Sequence, residues 1–282
     1  MTIQGVYGYK PELPAGGGSE AVGIVDKLGA GVTGLAIGQR VAAAGLLATW
    51  AEYFIAPAHK LAVMPDQLLP EMAAQIRGMP TDALLALDRL DAKPGEWIII
   101  NAGNGAVGMV IGQVARARGV KVASIVKRAE ARRTLNELGI SEVFVSTEKG
   151  WQARLAKAIG DDRVAGGIEM IGGDQANEML HFISPHGKLL SFGLMSGEPL
   201  RLDAADLIFK EIKVEGFWGA KEVERVTPER RAAVAKELSS LAIAGKLSLP
   251  ADSVFPLERA TAALAAASAT GRKGKVMIAA SL

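Results

Sequence analysis

The order of apolar and polar positions divides the 282 residues into three zones. In the first, short apolar runs alternate with glycine clusters. Ala21–Lys27, Gln39–Ala43 and Ala51–Ala56 read as short strands, the last closed by Pro57, and Gly16, Gly17 and Gly18 as an irregular loop. In the second zone strand-like and helix-like periods alternate. Trp97–Ile100 is continuously apolar, as in a strand covered on both faces. Val107–Arg118 follows with Val107, Ile111, Val114 and Ala115 on one helical stripe. Lys121–Val126, Glu142–Val145, Val164–Met170, Lys188–Phe192 and Ile212–Gly216 predict further strands. Ala129–Leu138, Trp151–Ile159 and Gln175–Phe182 predict helices between them. That order makes an α/β fold with a doubly wound parallel sheet under helices on both faces. In the third zone Thr227 and Pro228 open a helix whose stripe is Val234, Leu238 and Leu241, Leu257–Thr270 predicts another, and Lys275–Ala279 a last strand. The domains expected are residues 1–72, 73–220 and 221–282.

Composition narrows the function. Apolar residues make up 49% and charged residues 22%, which is a globular balance. Lys and Arg total 32 against 30 for Asp and Glu. A net charge of +2 with 5% aromatic residues supplies neither a phosphate-tracking surface nor base-stacking platforms, so nucleic acid is not an expected partner. There is no cysteine. Disulfides, thiolate nucleophiles and Cys-ligated zinc are thereby excluded, and a reducing, cytoplasmic location is expected. No apolar window reaches membrane-spanning length, and no signal peptide is visible at Met1.

The chemistry-bearing motif follows the most apolar strand. Asn101–Gly108 reads NAGNGAVG, and Gly103, Asn104, Gly105, Ala106, Val107 and Gly108 fit GxGxxG. A strand that turns sharply into a helix, brings its backbone up to a pyrophosphate and packs helix on strand needs small residues there. A glycine-rich turn with no ligand is the alternative reading; the strand before the motif and the helix after it favour dinucleotide binding. About 20 residues further on, where a ribose-reading carboxylate is common, the chain instead has Lys127 and Arg128. Two cations suit a 2′-phosphate, so NADPH is expected over NADH; a solvated basic pair is the other reading.

These residues resemble the medium-chain dehydrogenase/reductase superfamily, in particular its zinc-independent quinone oxidoreductase and 2-enoyl thioester reductase branches. The resemblance rests on Ile3-Gln4-Gly5-Val6-Tyr7-Gly8, Gly18-Ser19-Glu20, the NAGNGAVG turn, Leu190–Gly197, Leu207–Lys210 and Gly216-Phe217-Trp218. It implies a Rossmann-type domain inserted into a GroES-like, β-rich substrate domain made by both chain ends. It also implies a cofactor-side loop at Phe192, Gly193 and Met195, aromatic neighbours of the cofactor at Phe217 and Trp218, and a cofactor-proximal Lys275. A homodimer is expected through the edge strand at Lys210–Gly216.

Zinc-dependent relatives carry a histidine where this chain has Ser19, and His59, His181 and His186 lack helical ligand spacing, so no metal is expected. Reduction of a conjugated C=C runs without one. Hydride reaches the β-carbon, hydrogen-bond donors hold the charge that collects on the carbonyl oxygen, and a proton reaches the α-carbon. Tyr7 matches the tyrosine implicated in that last step. The substrate expected is a conjugated carbonyl, best a trans-2-enoyl thioester, with a quinone or a non-catalytic NADPH-binding role as alternatives.

Two departures from the family pattern stand out. Gly78–Ala83 resembles an Asn-Pro-x-Thr-Ala segment beside the nicotinamide, but Met79 replaces the Asn and Asp82 the Thr. Relatives also carry several strands ahead of the Gln-Gly-x-Tyr stretch. The substrate domain is therefore expected to be incomplete at its amino end, with sheet edges left unpaired.

Overall fold

The computed structural model describes Gly5, residues 7–269 and residues 271–280. Ile3, Gln4 and Val6 of the amino-terminal motif, and Thr270, lie outside the described residues. In chain order the elements are β1 (Glu20–Ile24), β2 (Arg40–Ala44), β3 (Leu61–Val63), α1 (Pro70–Ile76), α2 (Met79–Leu90), β4 (Trp97–Ile100) and α3 (Ala106–Ala117). Then come β5 (Lys121–Val126), α4 (Ala131–Glu137), β6 (Val143–Val145), α5 (Trp151–Ile159), β7 (Val164–Glu169), α6 (Gln175–Phe182) and β8 (Lys188–Ser191). The chain closes with α7 (Ala204–Phe209), β9 (Lys213–Gly216), α8 (Gly219–Arg225), α9 (Pro228–Ile243), β10 (Ala251–Pro256), α10 (Ala260–Ser268) and β11 (Lys275–Ala279). Two compact units result. One ends at Arg77 and resumes at Pro250; the other runs from Gly78 to Leu249.

In the first unit β1, β2 and β3 form an antiparallel sheet, with Val22 opposite Ala42 and Ala42 opposite Ala62. The strand expected over Ala51–Ala56 does not form. Both edges of β2 are taken, one by β1 and the other by Leu61–Val63, so the apolar run has no ladder to join there; Ile55 is fully exposed instead. The carboxyl-terminal part is a parallel pair, β10 and β11, joined through α10. The helix expected from Leu257 begins three residues later, because Leu257–Arg259 is a 3₁₀ turn.

In the second unit six parallel strands run in the order β6-β5-β4-β7-β8-β9. The core explains the unbroken apolar run of β4. Trp97 and Ile99 join Ile125, Leu155, Met179 and Leu189 in one cluster, while Ile98 and Ile100, which point to the other face, are equally inaccessible. Helix α9 starts as expected, with Arg230 N donating to Thr227 Oγ1 at 3.2 Å behind Pro228. It belongs to the sheet unit. Asp88 of α2 accepts from Arg118 at 2.7 Å and pairs with Arg230, and Glu237 of α9 takes both Nε and Nη2 of Arg118 at 2.8 and 2.9 Å. These pairs carry the unit to Leu249, past the boundary expected at residue 220; the first boundary falls at Arg77 instead of residue 72.

Within the first unit, burial pushes the Glu20 carboxyl above its ordinary value, and the Lys275 charge draws it part of the way back. A raised carboxyl binds its proton more tightly folded than unfolded. Its contribution to stability is therefore present at low pH and is lost as pH rises from the ordinary value near 4.5 through the raised one. Glu20→Gln does not titrate. Melting temperatures of parent and variant across this range should diverge in the variant's favour as pH rises; a gap that stays constant or moves the other way contradicts this.

Candidate functional site

Because all six strands of the second unit are parallel, their carboxyl ends share one edge. Connections leave β4 toward β5 on one side and arrive at β7 on the other, which opens a crevice at the ends of β4 and β7. The turn after β4 sits there. It is tight enough to hold Ala102 in the left-handed region at φ 47°. A Cβ on Gly103 would lie 2.8 Å from the Ser124 Cβ of β5, and a Cβ on Gly108 would lie 2.7 Å from the carbonyl oxygens of Ala102 and Gly103. These two glycines let the turn lie against β5 and α3 against the turn. Asn104 at the apex is exposed, and α3 begins with no side-chain cap on its first amides. Small residues, a sharp turn and an uncapped helix start fit a diphosphate.

A buried polar knot fastens this turn to the next strand end. Asn101 Nδ2 donates to Glu169 Oε1 at 2.7 Å, and Met170 N donates to Asn101 Oδ1 at 2.7 Å. The same Glu169 oxygen accepts Ile171 N at 2.7 Å and Gly172 N at 2.6 Å. Asn101 and Glu169 are both fully buried, and Glu169 Oε2 and the Ser124 hydroxyl have no hydrogen-bond partner among the described residues. Sequence reasoning passed over this pair. The available signal is a polar residue closing each of two adjacent apolar strands.

The loop after β8 lies along the loop after β7. Phe192 N and Gly193 N donate to the Glu169 carbonyl at 2.8 and 3.2 Å, and Ser196 Oγ donates to Ile171 O at 2.6 Å. A side chain at Gly193 would collide with the Met170 carbonyl. Met195 points outward, 75% exposed. Phe192 stacks on Phe217 with ring centroids 5.4 Å apart, and Phe217 is buried after β9. Trp218 follows, 40% exposed, with Lys221 Nζ 5.8 Å from its ring centroid. The α8 helix that it opens is anchored by buried Glu222, which accepts from Arg89 at 2.6 Å and from Arg225 at 2.5 Å.

The two family departures fall beside this segment. α2 begins at Met79, and the Asp82 carboxylate packs where a side chain at Gly219 would stand, with Oδ1 2.7 Å from that Cβ position. At the end of β5, Lys127 and Arg128 are exposed, and neither has an ion-pair partner among the described residues.

The second unit thus gathers Gly103–Gly108, Lys127, Arg128, Phe192, Gly193, Met195, Phe217 and Trp218 on one edge of one sheet. Tyr7 and Lys275 belong to the first unit. There Tyr7 lies half-buried in a bend, and Lys275 opens β11 with Glu20 within electrostatic reach. Among the described residues no three His, Cys, Asp or Glu side chains group to hold a metal. His181 and His186 sit in surface pairs with Asp206 at 3.4 Å and Glu211 at 2.9 Å. No described helix is long and apolar enough to cross a membrane.

Residues 1–66 match the family described as alcohol dehydrogenase GroES-like domain, and residues 106–240 the one described as zinc-binding dehydrogenase. The chain is 32% identical over 274 residues to the mitochondrial enoyl-[acyl-carrier-protein] reductase of Bos taurus, covering 94% of this chain and 72% of that protein. Escherichia coli quinone oxidoreductase, solved as a complex with NADPH, superposes with a TM-score of 0.80 at 28% identity, covering 96% of this chain and 85% of that one. A mutant form of enoyl thioester reductase from Candida tropicalis shares the fold, with a TM-score of 0.82 at 20% identity over 94% of this chain and 84% of that one. On the length and identity of these matches, together with a parallel six-stranded sheet carried by the middle of the chain, the protein belongs to the medium-chain dehydrogenase/reductase superfamily.

Proposed function

We propose that this chain is a zinc-independent, NADPH-dependent oxidoreductase that reduces the conjugated C=C of a trans-2-enoyl thioester. The observation that carries the reading is the glycine cradle at the β4 end, with two cations at the end of the neighbouring strand that have no ion-pair partner among the described residues. The amides of the turn and of the first turn of α3 hold the diphosphate, and Lys127 and Arg128 take the 2′-phosphate. NADPH, when bound, supplies the hydride. Phe192, Gly193 and Met195 form the wall of its pocket from the β8 side, and Phe217 and Trp218 from the β9 side. Lys275 is assigned to cofactor binding by its match to the family lysine alone.

Tyr7 gives its proton toward the α-carbon after hydride has reached the β-carbon. This assignment rests on the match of Gly5 and Tyr7 to the family stretch. The donor set argues against a zinc-assisted route, because the chain lacks cysteine and places Ser19 at the position of the zinc relatives' histidine. The enoyl thioester is favoured by the Tyr7 and Gly216-Phe217-Trp218 matches and by the sequence relatives, with the Bos taurus enoyl-[acyl-carrier-protein] reductase at 32% identity; among the solved structures the order is the reverse, with the E. coli quinone oxidoreductase at 28% and the Candida tropicalis enoyl thioester reductase at 20%.

NADPH oxidation against crotonyl thioester, quinone and enone acceptors tests the reading, with turnover expected on the thioester. Tight NADPH binding without turnover on any acceptor would make the chain a non-catalytic NADPH-binding protein. Lys127→Gln with Arg128→Gln should weaken NADPH about tenfold or more and leave NADH near its parent value, since charge-assisted bonds to phosphate are lost; equal affinity of the parent for both coenzymes removes the 2′-phosphate assignment. Tyr7→Phe should lower kcat on the thioester about 100-fold with little change in NADPH affinity, and unchanged turnover takes Tyr7 out of the mechanism.

We also infer that two copies pair along β9. This strand ends the six-stranded sheet, and Val214 together with Ile208 and Phe209 of the preceding helix is exposed beside it. Light scattering should give twice the chain mass; a monomer at micromolar concentration rejects the pairing.

A further inference from the structure

The corner where β5 and β6 end holds more charge than Lys127 and Arg128. After β6 the chain is laced to the segment that follows β5. Ser146 N donates to Val126 O at 2.8 Å, and Thr147 Oγ1 donates to Lys127 O at 3.1 Å. The next residue is Glu148. Its two oxygens accept from Arg132 Nη1 and Nη2 at 2.6 and 2.7 Å, and one of them also accepts from Arg154 Nη2 at 2.8 Å. The Arg132 hydrogen bonds, with burial opposing, hold the Glu148 carboxyl below its ordinary value, so it is fully ionised at neutral pH. Arg132 stands in the first turn of α4, four residues after Arg128.

The sequence shows four arginines and lysines between residues 127 and 133, and the structure sorts them. Arg133 pairs with Glu137 further along α4 at 3.2 Å. Arg132 is held on Glu148, while Lys127 and Arg128 have no ion-pair partner among the described residues. Glu148 therefore does two things to a dianion beside Lys127. It adds a negative charge next door, and it holds back a guanidinium that the first turn of α4 would otherwise present.

We propose that Glu148 is a coenzyme-discriminating residue: by engaging Arg132 and Arg154 it limits the preference for a 2′-phosphorylated adenosine to what Lys127 and Arg128 supply. The inference rests on the NADPH reading above and deepens it, since it names the residue that sets the size of the preference. A carboxylate of this kind acts on NADPH and leaves NADH nearly untouched, because the two coenzymes differ only in the phosphate.

The test is the ratio of the NADH to the NADPH dissociation constant, measured by coenzyme fluorescence on the full chain at low ionic strength. Glu148→Gln should raise the ratio about three- to tenfold, as expected for one charge removed at close range in a wet site. Arg132→Gln should lower it by a similar factor, because Glu148 then keeps only Arg154. Glu137→Gln makes the same change of net charge at the far end of α4 and should leave the ratio where it was. Raising salt should shrink the Glu148→Gln effect. If both coenzymes bind and the ratio in Glu148→Gln is unmoved or lower, or if Glu137→Gln moves it equally, the inference is overturned while the NADPH reading stands. If the parent binds neither coenzyme, that reading falls and this one with it.

Discussion

The crevice in the second unit depends on one hydrogen-bonded carboxylate. Glu169 sits with no solvent access at the end of β7, and one of its oxygens collects the Asn101 side chain and two successive backbone amides. Each of those donors is buried or nearly so. Left without an acceptor, each would cost about 1–3 kcal/mol. A purely apolar replacement at 169 would therefore strand several donors at once. The knot also sets geometry. Asn101 is the residue before the glycine turn, and the Glu169 carbonyl receives the amides of Phe192 and Gly193. One residue thus registers the loops after β4, β7 and β8 against each other, and these three loops carry most of the candidate site.

Glycines complete what the knot begins. Gly172 donates to Glu169 while holding φ 90°, a conformation that side chains rarely tolerate, and Gly193 lies too close to Met170 for any Cβ. Gly103 and Gly108 play the corresponding parts at the β4 turn. The regular GxGxxG spacing and the scattered Gly172 and Gly193 answer to the same constraint, backbone running against backbone at the ends of parallel strands. Only the first of these leaves a recognisable motif.

This difference explains what the sequence could and could not convey. Lys121–Val126, Trp151–Ile159, Gln175–Phe182 and Lys275–Ala279 were legible to the residue because their periodicity is strong and their ends are punctuated. β3 and β10 were not, being a three-residue strand and a half-exposed one. α7 and α8, six and seven residues long, are too short to show a period. Ala51–Ala56 has the composition of a strand but not a partner. The glycine turn, the basic pair and the aromatic segment after β9 were visible as local strings. The Asn101–Glu169 knot was not, because its partners are 68 residues apart and meet only through the β4–β7 pairing. The same holds for charge. Counting arginines cannot separate those engaged on Glu148 from those that stay free.

Asp82 shows how a departure from a family pattern becomes tolerable. As a string, a carboxylate in place of a threonine beside a cofactor pocket looks costly, since burying an unpaired charge is unfavourable. In the fold, Asp82 stands in the first turn of α2, where a helix start favours a negative charge. Its carboxylate occupies the volume that any side chain at 219 would need. Gly219 is in turn the first residue of α8, immediately after Trp218, and α8 is tied back to α2 by the Glu222–Arg89 pair. The carboxylate at 82 and the absent side chain at 219 are one structural solution distributed over two helices. The space that Asp82 takes is the space that Gly219 leaves open, immediately after Trp218.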